Sequence, residues 1–357
     1  MKKLSTIEIK KVKTVFFAFF AVFISSCGSS IHIFTIETLE PASVTLPSDI
    51  NSVFIVNNTV RQPGNIAGIS RTYSGKTIED YELNLDSVSW NSIQMLNVQL
   101  KNDNFFDKVS VYAKPARNDG EWMSIIPLQK EFKHEVFDIH GFDAIISIDR
   151  ILFSVEEDVR NLHELLNVYP YVHVKNIIKG NLDCSIYLYD KEEPFAAFTL
   201  SDSLIYDASV YADSIIVLKE LPEAQINELA YSLIEQLLCR IVPFWVYQER
   251  ALYVVNNSRM KEAFIFAKKG KWNMAESVWI NEYERQSSNS TKSKIANNIA
   301  IANEMRDNLD AALLWAIKAK EHAPNDSDEK AYIDAYISSL QKRIENSRLL
   351  DLQGGNK

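Results

Sequence analysis

The thiol of Cys27 is the side chain of this 357-residue chain best placed to take part in chemistry. It closes the tetrapeptide Ile24-Ser25-Ser26-Cys27, behind the apolar run Val15–Phe23 and the lysines Lys2, Lys3, Lys10, Lys11 and Lys13. A basic leader, a short apolar core and small residues before the cut are the three parts of a secretory signal peptide. The apolar run falls well short of the ~20 residues that cross a bilayer as a stable helix. Ending on Ile-Ser-Ser-Cys, it looks like a lipobox, in which the cysteine is acylated with fatty acid (palmitate) and the chain is cut just before it. Such chemistry modifies the chain; it is not a reaction that the chain performs.

The other reactive residue types are scattered. His32, His134, His140, His163, His173 and His322 show no zinc-ligand spacing on one helix face, and His134 and His140 fall on opposite sides of a helix. The ten glycines form no phosphate loop or dinucleotide fingerprint, and there is no Gly-x-Ser-x-Gly elbow. Glu156-Glu157-Asp158 and Glu192-Glu193 supply carboxylates, but acids in polar loops read as solvated faces. No catalytic residue, metal or cofactor is expected, and the protein reads as a non-enzyme.

Composition is that of a globular chain, 46% hydrophobic and 24% charged. Formal net charge is -9, and removal of residues 1–26 takes away five lysines against Glu8, leaving an acidic body. That disfavours nucleic acid, which requires clustered Lys and Arg, and leaves the lipid as the means of holding a membrane. Cys184 and Cys239 remain after Cys27; an oxidising compartment allows a disulfide, and two separately buried thiols are the favoured alternative.

Several elements would position these groups. Gly28-Ser29-Ser30 reads as a flexible tether and Ile31–Thr45 as extended. Ser52–Thr59 is a buried strand, followed by a long Gly/Pro loop, Arg61–Lys76. Helices are expected at Val88–Lys101, Pro127–His140 and Pro222–Arg240. Strands are expected at Asp107–Ala113, Asp143–Val155, Tyr171–Asp190 and Pro194–Ile205, the last two as a hairpin, with Glu156–Pro170 irregular and a helical turn near Leu162–Leu166. Mixed layers of this kind make an α/β sandwich, and Ile241–Trp245 reads as the junction to the C-terminal region.

Beyond Arg250 the period changes. Ala263 and Ala275 lie 12 apart, as do Ala300 and Ala312, and the second pair repeats the first 37 residues on. Small residues let antiparallel helices approach closely, with turns at Gly270-Lys271-Trp272 and Arg306–Leu309. The pattern, with Ala319 and Pro324 closing the second unit, resembles tetratricopeptide repeats. Trp279, Glu282 and a polar Arg285–Ser293 loop make the first unit less regular, and Asp328–Leu350 reads as a capping helix. The expected fold is α+β: an N-terminal α/β layer sandwich followed by an all-α tetratricopeptide-like helical repeat domain. Its boundaries are a signal peptide at 1–26, a lipidated tether and extended segment at 27–48, the sandwich at 49–248, repeats with cap at 249–350 and a disordered tail at 351–357.

The lipobox, Pro41-Ala42 with Pro47, Asp143-Ala144-Ile145, Pro243-x-Trp245 with Arg250, and the terminal repeats occur together. That arrangement resembles a Bacteroidales lipoprotein family of unknown function with C-terminal tetratricopeptide-like repeats. The resemblance implies an outer-membrane lipoprotein, and Gly28–His32 lacks the acidic residues that surface display in that lineage uses, so a periplasm-facing position is expected. The repeats then imply a protein-interaction or assembly module with a protein partner. By analogy, Arg259, Phe264, Asn297, Ile301 and Glu304, on the first helix of each unit, would line a concave groove and touch that partner. A structural reading has the repeats merely brace the first domain. The alternative of another class is a glycan-binding or glycan-processing accessory using the N-terminal domain, through the Arg61–Lys76 loop and nearby aromatics.

Overall fold

Ser52–Asn57 (β2) is buried at all six positions, which is what a strand with a partner on each edge and a layer on each face requires. The computed structural model describes residues 29–64, 69–73, 76–81, 85, 87–161, 171–189, 191–211, 221–255 and 257–354. Cys27 and the Leu162–Leu166 turn lie outside the described residues. The fold is α+β, an N-terminal α/β layer sandwich followed by tetratricopeptide-like helical repeats, and the chain divides into two compact units.

The first unit spans Leu46–Val242. Its sheet is built around Ala144–Asn161 (β6), an 18-residue strand. One edge of β6 runs antiparallel to Tyr171–Leu188 (β7), which pairs in turn with Ala196–Tyr211 (β8). The other edge is shared: β2 takes the first part in parallel, and Ile69–Tyr73 (β3) takes the last part. Lys108–Pro115 (β5) lies parallel to the far side of β2, and Lys76–Tyr81 (β4) pairs with β3. Asp143 ties the starts of β2 and β6 together, its Oδ2 accepting from the N–H of Asn51 and Ser52 and from Ser52 Oγ at 3.0, 2.8 and 2.7 Å.

Val88–Asp103 (α1) and Leu221–Ile241 (α3) pack on this sheet, α1 through Ile93, Leu96 and Leu100 and α3 through Leu229, Leu233 and Leu237. Gly180 of β7 permits the close crossing, since a Cβ there would stand 3.0 Å from Leu229 Cδ2 and 3.1 Å from Leu233 Cδ1. Phe54, Val56, Ile145 and Tyr187 pack with Leu128, Val136, Phe137 and Phe142 in a second cluster.

Four expectations change here. The Arg61–Lys76 loop contains β3 and leads into β4, because β6 continues past Val155 and offers them an edge. Glu156 and Asp158 are therefore strand residues, not an irregular acidic loop; Glu156 meets Lys179 at 2.8 Å, and Glu157 is buried. The Pro127–His140 helix is confined to Lys130–His134 (α2) and a wider π turn, Glu135–Ile139, ended by Gly141 at φ +63°. β8 runs on to Tyr211 because β7 pairs with it that far.

The second unit comprises residues 29–45 and 243–354. Ser29–Glu40 (β1) and Phe244–Val255 (β9) pair antiparallel over all twelve residues, from Ser29↔Val255 to Glu40↔Phe244. The expected tether is thus shorter, since Ser29 and Ser30 already belong to a strand, and the expected boundary at 248/249 moves to Val242. β9 leaves the sandwich because its partner is β1. Five helices complete the unit: Ser258–Lys268 (α4), Trp272–Arg285 (α5), Asn289–Glu304 (α6), Leu309–His322 (α7) and Asp328–Leu352 (α8). The tail expected to be disordered from 351 is ordered through Gly354: Gln353 is buried, exchanging hydrogen bonds with Ala42 N and O at 2.9 and 3.0 Å.

Candidate functional site in the helical repeats

Side-chain oxygens start the repeat helices, at Asn257 for α4, Ser288 for α6, Asn308 for α7 and Ser327 for α8, each accepting from a main-chain N–H of the first turn. Gly270 and Asp307 adopt positive φ in the turns between paired helices. Ala263, Ala275, Ala300 and Ala312 are fully buried where the helices cross, as their spacing predicts. Trp279, too large for a usual repeat position, is also fully buried and belongs to the same core as Trp272, Ile295 and Ile299.

The face expected to receive a partner is taken by the chain itself. β9 spends one edge on β1 and turns main-chain groups of its other edge to α6 and α8. Asn297 Nδ2 donates to Ala251 O at 2.8 Å, and Ala251 N–H donates to Tyr332 Oη at 2.8 Å. Asn298 accepts from Tyr253 N–H at 2.9 Å and donates to Tyr253 O at 2.7 Å. These are the bonds a further strand would make, supplied by side chains of a helix.

Beside this edge lies a buried ionic cluster. Arg250 grips Glu304 with Nε at 2.8 Å and Nη2 at 2.7 Å. Tyr336 Oη donates to the same carboxylate at 2.8 Å, and Arg343 Nη1 does so at 2.6 Å. Burial pushes the Glu304 carboxyl up, but Arg250 and Arg343 outweigh it and hold the group below the usual carboxylate range. Burial disfavours the Arg250 charge and Glu304 more than restores it. Burial, with Glu304 alongside, drives the Tyr336 hydroxyl well above its ordinary value. The cluster is an electrostatic clamp between β9, α6 and α8.

Three of the five expected contact residues are thereby corrected. Asn297 and Ile301 are fully buried and Glu304 nearly so, Asn297 under Ala251, Ile301 in the repeat core and Glu304 in the clamp. Phe264 is half-covered by His32, whose ring centroid is 4.3 Å away. Arg259 is exposed and leans toward Glu282 at 3.6 Å. Sequence reasoning missed β9 as occupant, although adjacent Asn297 and Asn298 inside a helix were a signal: asparagine is a poor helix former unless its amide has a task.

In the first unit, the polar cluster at Asp149 was not anticipated. Asp149 Oδ1 accepts from Ser147 Oγ at 2.6 Å and Asn58 Nδ2 at 3.0 Å. Burial raises its carboxyl, with Ser147, Ser185 and Asn58 pulling it partly back. Asn58 also donates to Ile126 O at 2.7 Å and Arg150 Nη1 to Met123 O at 2.6 Å, so the cluster straps the 123–126 segment over the sheet. Cys184 is buried and Cys239 half-buried, both as free thiols. His134 pairs with Asp138, and Glu192 with Lys130 at 2.7 Å. Among the described residues no group of three or more His, Cys, Asp or Glu could hold a metal, and no helix is long and apolar enough to cross a membrane.

Two family models match the chain: "Domain of unknown function (DUF8603)" over residues 50–253 and "Domain of unknown function (DUF6340)" over residues 261–342. No curated protein matches. Similar solved structures include the PelC dodecamer from Paraburkholderia phytofirmans, at 9% identity over 58% of this chain and 96% of that one, TM-score 0.24. Another is a putative neuraminyllactose-binding hemagglutinin homolog from Helicobacter pylori, at 14% identity over 55% of this chain and 84% of that one, TM-score 0.24. Likeness at that level carries no argument about this chain. The first family model spans more than half of the sequence, and the protein belongs to the DUF8603 family.

Proposed function

We propose that the protein is a lipid-anchored outer-membrane protein facing the periplasm, a non-enzymatic module for protein interaction or assembly. Cys27, acylated behind its lipobox, is the anchor. The observation that supports the module reading is the seating of β9: Asn297, Asn298 and Tyr332 hold an extended strand by its main chain, and Arg250–Glu304 locks it. β1 precedes the first unit and β9 comes after it, so the first unit is an insertion between two strands that the repeats clamp. The repeats serve as a mount, and the partner meets accessible side chains such as Leu314 and Ile317 of α7 instead of the filled groove.

The test combines palmitate labelling and membrane fractionation of wild type and Cys27→Ala with photo-crosslinking from position 314 in intact cells. A labelled, membrane-bound wild type, an unlabelled variant and one recurrent crosslinked protein are expected. A soluble, unlabelled wild type defeats the anchor, and no protein adduct from position 314 or 317 defeats the interaction module.

A further inference from the structure

We propose that the protein pairs with a second copy of itself through the outer edge of β8, the two strands lying antiparallel about a two-fold axis at Ile205. This edge belongs to the first unit and is separate from the α7 side chains and from Cys27, so it stands or falls apart from the reading above.

The sheet of the first unit ends in three strands, and two of them are blunted. β5 has eight residues, carries Lys108, Lys114 and Pro115, and shifts register against β2. β4 has six residues and shifts register against β3. Short strands, lysines, prolines and bulges are how proteins keep an edge from pairing. β8 has none of these. It runs for 16 residues, Ala196–Tyr211, without Lys, Arg or Pro, and keeps unbroken register with β7 from Ile186↔Ala196 to Tyr171↔Tyr211. Among the described residues no strand takes its other edge. A strand added there would satisfy the outward N–H and C=O groups of β8.

The side chains of β8 fit a second β8. Alternation puts Ser203, Ile205 and Asp207 on the open face, where all three are exposed, and Leu204 and Tyr206 on the α3 face, half-buried. Ile205 is 51% exposed, and Ile177 of β7 lies opposite it. A two-fold axis at Ile205 sets the two copies of this residue side by side. One apolar row then crosses four strands: Ile177, Ile205, the partner's Ile205 and the partner's Ile177. The same register places Leu204 opposite the partner's Tyr206 and Ser203 opposite the partner's Asp207, an apolar–aromatic pair and a hydroxyl–carboxylate pair. No like charges meet. Asp207 is also met by His173 of its own chain at 2.8 Å. Asp202, the other acid of the strand, accepts from Ser232 Oγ at 2.7 Å and Gln236 Nε2 at 3.0 Å on the α3 face. α3 lies over β7 at Gly180 and over β8 at Asp202. Its copy would stand two strand spacings away, about 10 Å, which is the distance at which helices pack. The pairing joins β6, β7 and β8 of both copies into one continuous sheet, and a two-fold contact closes at two copies.

The test uses the mature chain, residues 27–357, with Cys27→Ser, so that no acyl chain contributes. Sedimentation equilibrium over a concentration series should resolve monomer and dimer and nothing larger. Ile205→Lys sets two ammonium groups on the axis and should weaken the dimer roughly tenfold or more. Its circular dichroism should be unchanged, because position 205 is exposed. Opposite Cα atoms of antiparallel strands stand about 4.5–5.5 Å apart, within disulfide reach, so Ile205→Cys should give an oxidised dimer on a non-reducing gel. Ala197→Cys, also exposed on this face, lies far from its own copy in this register and should stay uncrosslinked. The parent chain, with only Cys184 and Cys239, is the blank. A monomer at every concentration, a dimer indifferent to Ile205→Lys, or crosslinking from position 197 as strong as from 205 overturns the proposal. So does a photo-crosslinker at position 205 in intact cells whose adduct is another protein in place of a second copy.

Discussion

Asn298, within α6, makes both hydrogen bonds of its side-chain amide to the main chain of one residue, Tyr253 of β9, at 2.9 and 2.7 Å. A helix thereby finishes the hydrogen bonding of a strand edge that would otherwise be buried with its polar groups unmet. That relationship explains why the repeats present no open groove on this side and why β9 belongs with them.

Replacing Asn298 by Ala leaves the N–H and C=O of Tyr253 buried without partners. Each such group costs about 1–3 kcal/mol, so a loss of about 2–4 kcal/mol is expected. Urea unfolding monitored by fluorescence of Trp272, Trp279 and Trp315 measures it. Tyr332→Phe removes one bond, to Ala251, and should cost about 1 kcal/mol.

The Arg250–Glu304 clamp has a defined pH signature. The folded-state carboxyl of Glu304 is depressed, so it contributes stability above the ordinary glutamate value near 4.5 and loses it as pH falls through the lower folded value. Wild type should lose stability on acidification below about pH 4.5 more steeply than Glu304→Gln. At pH 7, breaking the pair by Arg250→Met should cost about 3–5 kcal/mol. Arg250→Met combined with Glu304→Leu should recover part of that loss. Chemical denaturation across a pH series reads all of these.

Asp149 carries the opposite sign. Its folded carboxyl is raised, so its ionisation opposes folding at neutral pH, and the opposition fades as pH falls through the raised folded value and is gone once it reaches the ordinary aspartate range. Asp149→Asn keeps an oxygen for Asn58 and Ser147 and removes the charge. Its loss at pH 7 should stay under about 2 kcal/mol, and the variant should lack the wild-type gain on acidification. Unfolding of the two proteins between pH 3 and 7 distinguishes them.

Gly180→Ala places a methyl group against Leu229 and Leu233 of α3. The alanine gains from a less free unfolded chain, by about 0.4–1 kcal/mol, but overpacking at this crossing costs about 1–3 kcal/mol. Net destabilisation is expected, and Leu229→Ala introduced with it should relieve the clash while adding its own cavity. A double-mutant cycle in urea gives the coupling.

Much of the repeat unit is written in local sequence. Ala263, Ala275, Ala300 and Ala312 mark helix crossings because only a small side chain lets two backbones approach, and that holds whatever the distant context. Pro324 after α7 and the apolar run of β2 are legible for the same reason. Strand ends were less so. Nothing local at Glu156–Asn161 says strand; β7 and β3 make it one by bonding to both of its edges.

By itself the sequence determined the two-part α+β plan and the helical hairpins, both of which depend on short-range spacing and side-chain size. Only the tertiary structure decided that β1 and β9, more than 200 residues apart in the chain, form one ribbon, and that Asn297, Ile301 and Glu304 face inward to meet it or the repeat core. A strand edge has no preference for which residues complete its hydrogen bonds, so no local pattern in Ala251–Tyr253 could say that a helix, and not another strand, would do so.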